Sequence, residues 1–181
     1  MRRLSLTAQS STLALDGLRR GLTLIELVVT IAVLSIVLAV AVPSLSDFAA
    51  NNQLVSAKSA FAASVALART EAAKRGKPVI VKAAAGGSGG NEYAGGWELY
   101  VDENADGSVG SGDTLVRRYE ALPVKIKMSG AASFAFQSTG ALSTTATQTI
   151  TVCRTSGSSA GYQILVTPSG IVDVAAISSC V

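Results

Sequence analysis

Arg19-Arg20-Gly21-Leu22-Thr23-Leu24-Ile25-Glu26-Leu27 leads into a run of 21 residues, Leu22 to Val42, whose apolar character is broken only at Thr23, Glu26, Thr30 and Ser35. As a helix rising 1.5 Å per residue the run is roughly 31 Å long, which matches a hydrocarbon core of about 30 Å. It can cross a bilayer once. The two arginines immediately before it leave the N-terminus in the cytoplasm by the positive-inside rule and send everything after Val42 across. A secretory signal would be shorter and would end in a small-residue cleavage motif; here the sequence continues through Pro43 into further helix-compatible residues, so removal after the span is not expected. Glu26 fits neither a plain anchor nor a signal, because an ionised carboxylate at bilayer depth costs on the order of 3 kcal/mol. Either it meets a counter-charge, or it lies near enough to the helix start to reach the headgroups and gain from the helix dipole.

The rest of the composition narrows the function classes. The chain has 181 residues, 49% of them hydrophobic and 15% charged, enough for one core of ordinary size. The formal charge of +3 resides in residues 1–20, which hold four Arg against Asp16, while the remaining 11 Lys/Arg and 11 Asp/Glu cancel. A nucleic-acid partner is therefore not expected of the exported part. With no His and two Cys, His-based metal sites, Ser-His-Asp triads and Cys-His dyads are excluded. No cofactor fingerprint or paired-carboxylate motif stands out, so an enzyme is not expected.

Past Pro43 the sequence predicts helix to about Arg75. Leu54, Phe61, Val65, Ala68 and Ala72 form one apolar stripe at helical period, alanine is abundant, and Gly76 followed by Pro78 supplies the stop. The stripe reads as packing against a sheet. From Lys77 onward the period becomes that of strands, with candidates near 77–84, 96–102, 114–120, 123–128, 133–137, 149–154, 162–167 and 170–175. Gly, Ser, Asn and Asp turns separate them and no crossover helices are present, which points to antiparallel pairing and an α+β class. Ala85-Gly86-Gly87-Ser88-Gly89-Gly90-Asn91 reads as a flexible loop without the Lys-Ser/Thr end of a phosphate cradle.

The segment Arg19 to Leu27 resembles the N-terminal signature of type IV prepilins and type II secretion pseudopilins: a basic leader ending in Gly, a cut, a hydrophobic residue, then Thr-Leu-Ile-Glu and an apolar helix. The resemblance implies that a prepilin peptidase cuts between Gly21 and Leu22 and methylates the new N-terminus, making Glu26 the fifth mature residue and Pro43 the twenty-second. A new ammonium at Leu22 would then supply the counter-charge that Glu26 lacks, within one subunit or between neighbours in a filament. Pro43 is expected to kink or loosen the helix. Leu22 replaces the commoner Phe, and the 21-residue leader is longer than usual for such subunits.

The resemblance extends to the FimT/GspH group of minor pilins and pseudopilins. It is carried by the helix-end segment Ala66 to Gly76, by Gly96-Trp97-Glu98-Leu99-Tyr100-Val101-Asp102, and by the turns Phe136-Gln137-Ser138-Thr139-Gly140 and Thr167-Pro168-Ser169-Gly170. It implies a pilin-like fold, a long N-terminal helix packed on an antiparallel β-sheet globular domain. The divisions follow: leader 1–21, transmembrane half of the spine helix 22–42, exported half 43–76, and β-rich domain 77–181. The implied partners are prepilin peptidase, other pilins or pseudopilins, an inner-membrane assembly platform and the membrane itself. The implied place is the bacterial inner membrane, single-pass, with a periplasmic domain, and then the pilus or pseudopilus. Small and β-branched residues of the span, such as Val28, Val29, Ala32 and Val33, suit close helix contact. A second role, DNA capture at a pilus tip, is disfavoured: the Gly-Arg-x-Arg element seen in some relatives reads Gly170-Ile171-Val172-Asp173 here. Arg117, Arg118, Lys125 and Lys127 remain as a candidate basic patch or a solvated face.

Two further features carry chemistry of their own. Asp102, Asn104, Asp106, Gly107 and Asp113 match a calcium loop, with oxygen ligands at positions 1, 3, 5 and 12 and Gly at the bend. Strand-like flanks and a terminal Asp in place of Glu favour a solvated hairpin. Cys153 and Cys180 both lie in the exported part, where a disulfide would close a 28-residue loop and stabilise by roughly 3 to 4 kcal/mol. The alternative is two free structural thiols.

Overall fold

The computed structural model describes residues 21–156 and 160–180. The leader, with Arg19 and Arg20, lies outside the described residues, Gly21 excepted. The chain divides between Val42 and Pro43 into two units.

In the first unit, helix α1 (Leu24–Arg75) begins just after Thr23 and every residue from Leu22 to Val42 is exposed in the isolated chain. It is long and apolar enough to cross a membrane. The helix assignment runs on through Pro43. That proline has no amide to give the carbonyl one turn back, so the ladder loses a bond there without a break in the helix.

In the second unit the expected stripe is the buried face of α1. Leu54, Phe61, Val65, Ala68 and Ala72 are all buried, joined by Ala57 and the hydroxyl-bearing Ser64. The helix ends where Gly76 donates to the Ala72 carbonyl at 3.0 Å.

All eight candidate strands form: β1 (Val79–Ala83), β2 (Trp97–Val101), β3 (Thr114–Tyr119), β4 (Ile126–Ser129), β5 (Ser133–Phe136), β6 (Gln148–Arg154), β7 (Gly161–Val166) and β8 (Val172–Ile177). The largest shift is at β4, expected from residue 123. Pro123 instead heads a tight turn in which Ile126 donates to its carbonyl at 2.8 Å. The expected antiparallel sheet is realised as two four-stranded sheets, ordered β3-β2-β1-β5 and β4-β6-β7-β8, with every pairing antiparallel. Chain order did not disclose this division, because β5 returns to pair with β1 (Val81 opposite Phe134) after β4 has joined the other sheet.

One core joins the second unit's part of α1 to inward side chains of both sheets, among them Leu99, Phe136, Met128, Ile150 and Ile164. The Gly-rich stretch 85–91 is a loop whose C-terminal end is tied to the β4 region. Asn91 Oδ1 accepts the Met128 amide at 2.9 Å, while Glu92 accepts the amides of Gly90 and Gly130 at 2.8 and 3.1 Å.

Candidate functional site

At the start of α1 the Glu26 amide donates to Thr23 Oγ1 and the Leu27 amide to the Thr23 carbonyl, both at 3.2 Å. The spacing Thr23-x-x-Glu26 is that of a capping box, so part of the signature read as a processing motif is also the helix's own start signal. The other polar interruptions are satisfied locally. Thr30 Oγ1 donates to the Leu27 carbonyl at 2.8 Å and Ser35 Oγ to the Ile31 carbonyl at 2.7 Å. Of the four, only the Glu26 carboxylate has no ion-pair or hydrogen-bond partner among the described residues. Gly21 precedes the cap, and a side chain built there would meet nothing within 4 Å. The fold does not require glycine at that position.

In the second unit the motif segments quoted from the sequence converge on the helix. Trp97 donates from Nε1 to the buried Ser64 Oγ at 2.8 Å, and Ser64 donates to the Phe61 carbonyl at 2.7 Å. The same indole stacks on Tyr119 at 4.8 Å and meets Phe61 edge-on at 5.2 Å. Arg69 donates from Nε to the Gly140 carbonyl at 3.1 Å. A Cβ at Gly170, whose φ is +78°, would stand 2.2 Å from that carbonyl and 3.0 Å from the arginine nitrogen. Arg69, Gly140 and Gly170, distant in sequence, therefore form one clasp between α1 and two turns. Nothing in the spacing of these residues revealed that they meet.

A second tie lies near the start of the second unit's part of α1. Arg154 pairs with Asp47 at 2.6 Å and reaches Asn51 Oδ1 at 3.3 Å, while Lys125 Nζ donates to Ser46 Oγ at 2.8 Å. The four cations considered as a basic patch fall on different sheets. Arg117 lies over the Tyr119 ring at 5.0 Å and Arg118 pairs with Glu98 at 2.5 Å, both on β3, whereas Lys125 and Lys127 belong to the turn before β4 and to β4 itself.

The acidic turn is built from carboxylate caps. Buried Asp102 accepts the amides of Asp106 and Gly107 at 3.2 and 2.8 Å, and Asp113 accepts those of Glu103 and Gly110 at 3.0 and 2.6 Å. Asp106 takes the Ser108 amide at 2.8 Å and the Asn104 side chain at 2.7 Å. The Ser108 amide, with Asn104 next, holds the Asp106 carboxyl below its ordinary range. Among the described residues no group of three or more His, Cys, Asp or Glu is arranged to hold a metal ion. A cleft of about 550 Å³ adjoins the turn, bordered by Asp102, Phe134 and Gln148.

Cys153 and Cys180 are joined as a disulfide with Cα atoms 6.1 Å apart. Gly161 lies opposite Cys153 across the β6–β7 pair, and a Cβ there would stand 2.6 Å from the Cys180 sulfur.

The family model described as type II transport protein GspH matches residues 57–170, and that of the prokaryotic N-terminal methylation motif matches residues 18–42. Two crystal structures of the Pseudomonas aeruginosa type IV minor pilin FimU are similar in fold. One is 18% identical with a TM-score of 0.58, covering 74% of this chain and 99% of that chain. The other is also 18% identical, with a TM-score of 0.55 and coverage of 71% and 100%. No curated relative matches the chain.

Proposed function

The chain belongs to the GspH family of minor pilins and pseudopilins, and we propose that it enters its filament by cleavage after Gly21, followed by pairing of the new Leu22 ammonium with Glu26. Family and fold are those of structural subunits. The observation that carries the proposal is Glu26 itself, whose carboxylate is, among the described residues, the one polar group of the apolar run left without a partner while Thr23, Thr30 and Ser35 are bonded to their own helix. An acid kept in an apolar surface calls for a cation.

The cap supports the same cut. Thr23 and Glu26 both lie on the mature side of Gly21, so removing the leader leaves the helix start intact. The glycine, which the fold does not need, is free to serve the peptidase.

Residues 22–42 would first span the inner membrane, with 43–181 on the periplasmic side. The same exposed apolar surface would then pack against the helices of other subunits when an assembly platform extracts it. Pro43, by removing one rung of the ladder, would give the spine a place to adjust as it leaves lipid.

The test is a Glu26→Gln variant in cells carrying the rest of the machine. Membrane level and leader removal should match the wild type, while the sheared filament or pseudopilus fraction loses the subunit. Normal incorporation of the variant would contradict the pairing.

A further inference from the structure

We propose that the turn Pro123–Ile126 is a membrane-surface contact, with Val124 entering the boundary between headgroups and acyl chains and Lys125 meeting a lipid phosphate. The proposal rests on residues 22–42 being the membrane span. Val124 is 92% exposed, the most exposed large aliphatic side chain among the described residues of the second unit, and Pro123 and Lys125 beside it are also exposed.

This is a built tip. Ile126 donates to the Pro123 carbonyl at 2.8 Å, the Thr155 amide to the Lys125 carbonyl at 2.9 Å, and Thr155 Oγ1 to the Val124 carbonyl at 3.4 Å. With all three carbonyls already bonded, the valine can leave water without stranding backbone acceptors. The ordering cost has also been met by the fold, so apolar transfer is not offset by stiffening a loop.

Its location follows from chain connectivity. Lys125 Nζ is 2.8 Å from Ser46 Oγ, and Ser46 is four residues beyond Val42, where the apolar run ends. Four residues reach at most roughly 14 Å in any conformation. That reach is comparable with the headgroup layer, about 5 to 8 Å on each side of the hydrocarbon, plus the length of a lysine side chain. Leu45 and Phe48, 67% and 63% exposed, occupy the same turn of α1 and add apolar surface at that level. Arg154, held to Asp47, steadies this part of the helix beside the lysine. An aliphatic tip flanked by a cation is the side-chain pairing that a lipid interface accepts.

The experiment uses the full-length chain with an environment-sensitive fluorophore on a cysteine introduced as Val124→Cys, the native disulfide left oxidised. Two other labelled variants are compared: Val33→Cys, in the span, and Ser111→Cys, in the turn beside Glu103, whose carboxylate pairs with Lys77 past the far end of α1. The chain is reconstituted in vesicles of pure phosphatidylcholine and of equal parts phosphatidylcholine and phosphatidylglycerol, and aqueous iodide quenching is measured.

The label at 124 should be blue-shifted and shielded relative to that at 111, more so in the anionic vesicles. Lys125→Gln should weaken surface association there by about fivefold, the worth of one lysine near an anionic surface. A 124 label as accessible as the 111 label, with the 33 label shielded, would overturn the proposal. An accessible 33 label would overturn the span reading and the proposal with it. Shielding at 124 that tracks protein density and ignores lipid charge would assign the turn to a contact between copies, and would also overturn it.

Discussion

Trp97 is the only tryptophan of the chain, and its indole N–H is spent on a serine hydroxyl inside the helix-sheet contact. Ser64→Ala would leave that donor buried without a partner and should destabilise the second unit by about 1 to 3 kcal/mol. Adding Trp97→Phe removes the stranded donor, so the double variant should lose less than the two single losses combined, as a denaturant double-mutant cycle followed by circular dichroism would read. Gly161→Ala is a second case: the added methyl would press on the Cys180 sulfur and the Val152 carbonyl, so the variant should melt lower or form the disulfide incompletely, read by thiol titration of the unfolded chain. Neither contact was legible in the sequence. Ser64 sits in an alanine-rich stretch of helix with nothing to single it out, and Gly161 looks like any turn glycine until β6 and β7 are paired. Glu26 was legible, because a lone acid in an apolar run violates the local solvent on sight.

At the scale of elements, the helix and the strands were visible because periodicity is a local property. The stripe Leu54 to Ala72 is the buried face, and the eight strands lie within three residues of their expected ends. Sheet membership was not visible, since it depends on β5 pairing back to β1 across an intervening strand. The Gly-rich stretch is a loop, as expected, but the ties at its end were not visible for a related reason: Asn91 and Glu92 reach the distant residues Met128 and Gly130. Glu92 makes this tie pH-dependent. Its own amide, then that of Gly90, hold its carboxyl below the ordinary 4.5. A carboxyl depressed on folding contributes stability that is complete above the unfolded value and lost as pH falls through the folded one. The melting temperature should therefore be flat from neutral pH to about that value and fall below it. Glu92→Gln should blunt the fall without abolishing it, because Glu71, Glu103 and Asp106 are shifted in the same direction. The acidic turn yields a related expectation for calcium. Asp102, Asp106 and Asp113 already cap backbone amides, so millimolar calcium should leave the melting temperature unchanged; an upward shift lost on Asp102→Ala would establish a site instead.

For the whole molecule, the apolar run of the first unit and the sheets of the second answer to different solvents, and every residue from Leu22 to Val42 is exposed among the described residues. On the proposed function, lipid and then the helices of other subunits would cover that surface, and a filament of such spines would form once the N-terminus is trimmed to place a cation beside Glu26. The most direct measurement is the mass of the N-terminal peptide of the native protein from membrane and sheared filament fractions. A chain beginning at Leu22 with a methylated amine is the expected result; a chain that keeps residues 1–21, or begins elsewhere, would contradict it.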